Sequence, residues 1–341
     1  MNASKYLGSA LAMLALAAGT AWAGSPDRLG TSGAPELRLP VGARSIALAG
    51  SDLGTVSGVE ALFYNPAGAA ESNASTEVMA SHTEYIADMK VNYVAVTQAV
   101  GHLGFIGVSA KVLSIGDMTE TTEAAPDGTG ETFSPTFSTL GLTFARKMTD
   151  RVDFGATVTY DAERVLQETA AGVSFGFGFQ YDTDYRGVRL GMAMNNFGAN
   201  MQYSGSDLEH LQQLPGYNPF VAPRDLALST ATFELPTNFQ FGMSVPIVRG
   251  GEHAFAVDGV YINNSFAVDE GRVGAEYVYH KMFALRAGYK LTSDSNDLFG
   301  LSYGAGARVP LGSSSMWVDY AGQSVSDFFD DVQHVSVTFE F

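Results

Sequence analysis

The last eight residues, His334 to Phe341, alternate polar and apolar side chains with period two and stop on an aromatic. Val335, Val337, Phe339 and Phe341 fall on one face, and His334, Ser336, Thr338 and Glu340 on the other. That is the pattern of a strand set between lipid and a wet interior. From about residue 75 the alternation recurs in segments of roughly ten to fifteen residues, separated by Gly, Asp, Asn and Ser clusters. It predicts strands near 75–86, 89–99, 102–115, 133–147, 151–165, 168–182, 187–196, 234–246, 252–262, 266–280, 282–292, 297–309, 314–321 and 332–341. The expected fold is all-β, a transmembrane antiparallel barrel of about 14 strands, an even count as single-chain bacterial barrels have.

Facing is legible segment by segment. In the sixth, Val173, Phe175, Phe177, Phe179 and Tyr181 oppose Ser174, Gly176, Gly178 and Gln180. In the fifth, Phe154, Ala156, Val158 and Tyr160 oppose Asp153, Gly155, Thr157 and Thr159; in the eleventh, Phe283, Leu285 and Tyr289 oppose Arg286, Gly288 and Lys290. The bulky sets are assigned to lipid and the charges to the lumen, because Arg or Lys at mid-bilayer costs about 2 to 4 kcal/mol. Tyr160, Tyr181, Tyr261, Tyr279 and Tyr320, near segment ends, suit interfacial girdles.

The connections alternate in length. Brief turns such as Val100-Gly101, Met148 to Asp150 and Arg249 to Gly251 follow even segments. The longest excursions, Gly116 to Thr132, Phe197 to Phe233 and Gly322 to Asp331, follow odd ones. Short turns belong on the periplasmic side, so both termini are expected there, in the outer membrane of a Gram-negative-type bacterium. Outer-membrane lipid is the first expected partner.

Lys5, an apolar stretch from Leu7 to Ala18, and Thr20-Ala21-Trp22-Ala23 before Gly24 read as a signal peptide over residues 1–23. Removing Lys5 takes the formal charge from −17 to −18, which argues against nucleic acid as a partner. A chain 46% hydrophobic and only 16% charged is not disordered, and after Ala23 no window approaches twenty consecutive apolar residues. Dispersed apolar surface of this kind is what a barrel carries. With no cysteine, neither a lipid anchor nor a disulfide framework is available.

Residues 24–74 do not alternate. They hold two short amphipathic stretches, Ala43 to Leu53 and Val59 to Tyr64, broken by glycines and ended by Asn65-Pro66-Ala67-Gly68. So short a segment buries too little surface to fold alone, whereas a fourteen-stranded barrel is wider than side chains can fill. The segment is expected inside the barrel formed by residues 75–341, as an N-terminal lumenal plug of short helices.

The runs Gly42-Ala43-Arg44-Ser45-Ile46-Ala47-Leu48-Ala49-Gly50 and Ala61-Leu62-Phe63-Tyr64-Asn65-Pro66-Ala67-Gly68-Ala69-Ala70 resemble the N-terminal signature of the FadL-like outer-membrane superfamily, most closely its compact PorV/PorQ branch. In place of the paired acidic step that usually precedes the Asn-Pro-Ala-Gly run, this chain has Thr55-Val56-Ser57-Gly58-Val59-Glu60, where Glu60 alone stands in. The resemblance implies a plugged fourteen-stranded barrel. Its PorV members imply protein export or surface attachment in a type IX-like apparatus, with secretion-apparatus proteins or exported cargo as partners. Its fatty acid transporters imply uptake of long-chain fatty acids or other hydrophobic small molecules through a side opening at a kinked third strand, which Gly104 and Gly107 would permit here. Export is the main expectation and uptake the alternative.

Candidate chemistry is sparse. Gly172-Val173-Ser174-Phe175-Gly176 matches a hydrolase motif, but a nucleophile elbow needs a sharp strand-to-helix turn and this match lies within an alternating strand. The six histidines show no metal-ligand spacing, so no metal, cofactor or catalytic residue is expected. Asp153, Arg189, Asp258, Glu276, Arg286, Lys290, Arg308 and Asp319 are expected in the lumen, chiefly as paired charges clamping plug to wall. Arg44, Glu60, Asn65 and Pro66 are the plug residues expected to make contacts. Leu208, Leu211, Leu214, Tyr217, Phe220 and Val221 make the loop after Phe197 too apolar to dangle, so a lid or a hydrophobic receptor is expected.

Overall fold

The computed structural model describes residues 28–212, 224–295, 297–326 and 329–341. The expected signal peptide lies outside them. Fourteen strands form one closed antiparallel wall, each paired with the next in sequence and the last with the first. They are β1 (Thr76–Glu84), β2 (Lys90–Ala99), β3 (Phe105–Ser114), β4 (Thr136–Lys147), β5 (Val152–Val165), β6 (Glu168–Asp182) and β7 (Arg189–Gly198). There follow β8 (Asn238–Val248), β9 (His253–Asn264), β10 (Glu270–Tyr279), β11 (Phe283–Thr292), β12 (Phe299–Leu311), β13 (Ser314–Val325) and β14 (Val332–Glu340).

All fourteen expected segments are strands, and the differences lie at their ends. β8 starts at Asn238 because Pro236 cannot donate to a ladder. β13 runs on to Val325 because Gly322 and Gln323, which read as a turn, stay paired with Gln333 and Val332. Outward positions are exposed and apolar around the wall, among them Val108, Leu142, Phe177, Phe241, Leu285 and Val335. In water a belt of this extent would be an aggregation surface; against lipid it is the solvated state. Tyr160, Tyr181, Tyr279 and Tyr320 are exposed on the same outer face.

The third strand corrects one expectation. β3 pairs with β2 and β4 along its whole length without a register shift. Gly107 faces inward, and its missing side chain leaves the space that Leu62 occupies. The register irregularities fall elsewhere, opposite Asn195 and Asn196 between β6 and β7, at Pro246 in β8, and near Phe299 at the start of β12.

Residues 28–74 thread the lumen. Arg28 pairs with Glu234 at 2.7 Å and the Gly30 N–H donates to Phe266, both in connections at the long-loop end. The segment reaches the other end at Ser75, whose N–H donates to the Phe341 carbonyl. Arg28, the first described residue, thus lies at the mouth of the long loops and Phe341 at the mouth of the short turns, and the chain between Arg28 and Ser75 crosses the barrel from one to the other.

Within it, helices α1 (Ala43–Ala47) and α2 (Ala61–Tyr64) and three 3₁₀ turns (Pro35–Arg38, Gly58–Glu60, Pro66–Glu71) are far too short to be stable alone. The wall completes them. Neither helix has a capping side chain of its own, so the first N–H groups of α1 turn to other partners: Gly42 to Ser81 Oγ, Ala43 to Ser336 Oγ, and Ser45 to Glu60 Oε1, at 3.0 to 3.3 Å. Val59 donates to Glu77 Oε2 of β1 at 2.8 Å. Buried backbone groups require such partners.

The wall fits the segment by omission. Inward glycines stand where the inner chain comes closest: a side chain on Gly178 would enter Asn65 and Pro66, one on Gly155 would enter Pro66 and Ala67, and one on Gly288 or Gly274 would enter Leu48. Gly191 and Gly242 make the same room for Leu53. At Gly155, Gly191 and Gly288 inner backbone meets wall backbone, while at Gly178 and Gly242 inner side chains rest on wall backbone. Gly178→Val is therefore expected to lower stability by about 1 to 3 kcal/mol through overpacking, whereas Gly271→Ala, whose added carbon meets only Leu291 at ordinary contact distance, is expected to stay within about 0.5 kcal/mol. Thermal unfolding of the detergent-solubilised protein, followed by circular dichroism, compares the two; equal midpoints would remove the close-fit account.

Candidate functional site

The lumen is divided by charge. Arg44 of α1 reaches β10, where Nε and Nη2 donate to the two oxygens of Glu276 at 3.1 and 3.2 Å. Arg44 Nη1 lies 3.5 Å from Asp52 Oδ2, which also accepts from Ser45 Oγ at 2.8 Å. Glu276 in turn accepts from Arg286 of β11 at 2.7 Å, and Arg286 donates to Asp319 of β13 at 2.6 Å. Signs alternate along the row Asp52, Arg44, Glu276, Arg286, Asp319, so each charge is desolvated beside an opposite one. Burial pushes the Glu60 carboxyl up to about 7; Arg44 draws it back and Asp52 pushes it further up. Glu60 also accepts from the Ser45 N–H of α1, which favours its charged form.

A second clamp lies nearer the short turns. Glu71 accepts from Lys147 of β4 at 2.5 Å and from Arg189 of β7 at 2.9 Å. Arg189 also approaches Asp153 of β5 at 3.5 Å. Against the cost of burial, Lys147 and Arg189 hold the Glu71 carboxyl below its ordinary value. Beside this clamp, Asn65 Nδ2 donates to the carbonyls of Leu53 and Phe179, and its Oδ1 accepts from Ala67. Asn65 thus stitches the inner segment to β6 as well as starting the turn at Pro66. Gln180 of β6 adds bonds to the carbonyls of Leu53 and Val56.

On the long-loop side of this floor lies a chamber of about 550 Å³, a volume in the range of small-molecule sites. Ile46, Ala49, Gly50 and Leu62 to Tyr64 form its base, residues between 30 and 40 form one side, and β2 to β13 with the connections at Tyr85 and Phe266 supply the rest. Its rings include Phe63, Tyr85, Tyr93, Phe266 and Phe299, with Tyr85 stacked on Phe299 at 5.8 Å. Its amides include Asn195, Asn238, Gln240, Asn264 and Gln323.

The expected lumenal charges therefore separate. Glu276, Arg286, Asp319 and the buried Asp258, opposite Ser244, belong with the Arg44 floor. Asp153 and Arg189 join the Glu71 clamp. Lys290 lines the chamber, held by Glu270 at 3.0 Å and Asp297 at 2.5 Å. Arg308 sits at the short-turn rim, bonded to Ser315 and to Glu340 at 2.6 Å, away from the inner segment. Sequence reasoning missed Asp52, Glu71, Lys111, Glu270 and Arg272. Lys111 and Arg272 fall at inward registers of assigned strands, a signal that was available; Asp52 and Glu71 lie in a segment without periodicity and gave none.

Ser174 lies mid-strand in β6 and donates to Asp161 at 2.8 Å, with no turn to expose it. Leu214, Tyr217, Phe220 and Val221 lie outside the described residues. The described stem of their loop folds back onto the protein. Met201 and Phe233 bridge, Ser204 and Gly205 pair with Thr169 and Glu168, and Met201, Leu235 and Phe233 pack with Ala34 and Leu37. Tyr203 donates to Glu163.

No family model matches the chain, and no curated protein matches it in sequence. Solved structures do match in shape. The chain is similar to the Pseudomonas putida toluene transporter TodX (TM-score 0.56, 13% identity, 88% of this chain and 97% of that one). It is also similar to the monoaromatic hydrocarbon channel CymD (0.54, 13%, 89% and 98%) and to a Pseudomonas aeruginosa FadL homologue (0.52, 12%, 89% and 99%). At such identities the likeness is one of fold, and it extends over nearly the whole length of each. The chain has the fold of the FadL-type outer-membrane channels, a closed fourteen-stranded antiparallel barrel with short helices near its N-terminus.

Proposed function

We propose that this protein is an outer-membrane channel that admits small, largely hydrophobic molecules, with residues 1–23 removed on export and residues 24–74 acting as the lumenal plug. The observation that carries the reading is the chamber: a ring-lined space of ligand size at the long-loop end, closed below by a segment clamped to the wall. A pore for ions would need an open lumen, and here the floor is filled. Of the two readings raised by the sequence, uptake is the one that the named neighbours, a toluene transporter and a hydrocarbon channel, support. The export reading has no counterpart among them.

Proteoliposomes carrying the purified full chain are expected to take up toluene, or a similarly sized aromatic, several-fold faster than empty vesicles while remaining tight to a large hydrophilic solute. Influx equal to that of empty vesicles for every small probe would overturn the uptake reading.

The floor makes a separate prediction. Arg44 keeps only a quarter of its side-chain surface exposed, and its loss leaves Asp52 without an ion pair and Glu276 with Arg286 alone. Arg44→Ala is expected to cost about 3 kcal/mol, the lower end for breaking a buried pair, and to turn an electrically quiet barrel into one with ion-conducting openings in planar bilayers. Arg151→Ala, which breaks an exposed pair with Asp184, is expected to cost less than about 1 kcal/mol and leave conductance unchanged. A quiet Arg44→Ala channel of wild-type stability would show that this row does not hold the plug.

A further inference from the structure

The chamber differs chemically from what a plain hydrocarbon needs. Four cations line it, Arg38, Lys111, Arg272 and Lys290, and one carboxylate, Glu270. Glu270 is used by Arg272 at 3.1 Å and by Lys290, which also takes Asp297. Lys111 and Arg38 have no ion pair among the described residues. Lys111 is buried; its ammonium donates to the carbonyls of Glu36 and Leu39 and lies 4.6 Å from the centre of the Phe63 ring. Its charge is thus fixed in place, with only more distant carboxyls, Glu36 and Asp161, acting on it. Arg38 is exposed, at the end of the Pro35–Arg38 turn, and acts on the Tyr85 phenol from nearby. Tyr85 in turn lies on Phe299. Arg38 is therefore the lining cation with neither an ion pair nor a carbonyl partner among the described residues, and it stands beside aromatic faces in this cavity.

Resting on the uptake reading and narrowing it, the geometry points to a small aromatic acid as the chamber's ligand, its carboxylate on the Arg38 guanidinium and its ring among Phe63, Tyr85 and Phe299. The planar, forked guanidinium accepts a carboxylate through paired hydrogen bonds. Lys111, already committed to two carbonyls, contributes field rather than contact, and its burial leaves that field weakly screened. The amides Asn195, Asn238 and Gln240 suit hydroxyl or carbonyl substituents on the ring. A hydrocarbon would strip water from these groups and give nothing back, which disfavours it. An aliphatic acid would satisfy Arg38 and leave the ring faces unused.

The test uses the full chain in detergent and isothermal titration with four probes: benzoate, benzylamine, toluene and decanoate. Benzoate is expected to bind best, to weaken steeply with added salt, and to lose about tenfold in affinity in Arg38→Gln, while Arg151→Gln binds it as the wild type does; benzylamine is expected not to bind. Because Arg38 is exposed, its substitution leaves no buried charge unpaired, and the salt dependence of the unaltered protein provides a second readout that needs no variant. Toluene or decanoate binding tighter than benzoate, or benzoate binding insensitive to both salt and Arg38→Gln, would overturn the proposal. Failure here with toluene influx intact sinks the acid preference alone; failure of all influx sinks the uptake reading beneath it.

Discussion

A wall of fourteen strands satisfies its own backbone only by closing, and once closed it encloses more space than its inward side chains can fill. Everything else in this structure answers that constraint. The inner segment cannot fold alone, and the wall cannot be filled without it. Their fit is made less by apolar packing than by two devices: glycines that let main chain approach main chain, and wall hydroxyls and carboxylates that cap the inner helices. Ser81, Ser336 and Glu77 do for α1 and the Gly58–Glu60 turn what a helix's own capping side chains do in water.

The same constraint explains why the charges are where they are. An inner segment held only by apolar contact would have no fixed register against a smooth wall. The row from Asp52 to Asp319 specifies one rotation, since Arg44, braced on the inner segment by Asp52, meets Glu276 of the wall in one seat. Glu71, bridging Lys147 and Arg189, specifies a second point farther along. Two such points fix a rigid segment, and each is costly to break because its members are out of water.

How much of this was legible in the sequence follows from the period of each part. Strands at period two between lipid and lumen announce themselves; β6 was readable residue by residue from Val173 to Tyr181. The seats were not. Gly155, Gly178 and Gly288 alternate with bulky residues just as any small lumenal residue would, and only the path of the inner chain shows that they are contact points. Gly107 was read as a place for a kink when it is a place for Leu62. Arg44 and Asn65 stood out through the runs that contain them, but their partners, Glu276 and the carbonyls of Leu53 and Phe179, are 12 to 232 residues away in sequence, and nothing local encodes such pairings.

Charge placement along the axis has a last consequence. The long loop carrying Asp117, Glu120, Glu123, Asp127 and Glu131 is acidic and exposed, while the chamber is cationic. Exposed carboxylates lose their influence over about 8 Å at physiological ionic strength, so they add little barrier to an incoming anion. Lys111, by contrast, is buried in the wall, where its field is weakly screened, and Arg38 stands exposed at the chamber's side. The two signs thus act on different scales, the loop's over the exposed surface at one mouth and the inner one within the chamber.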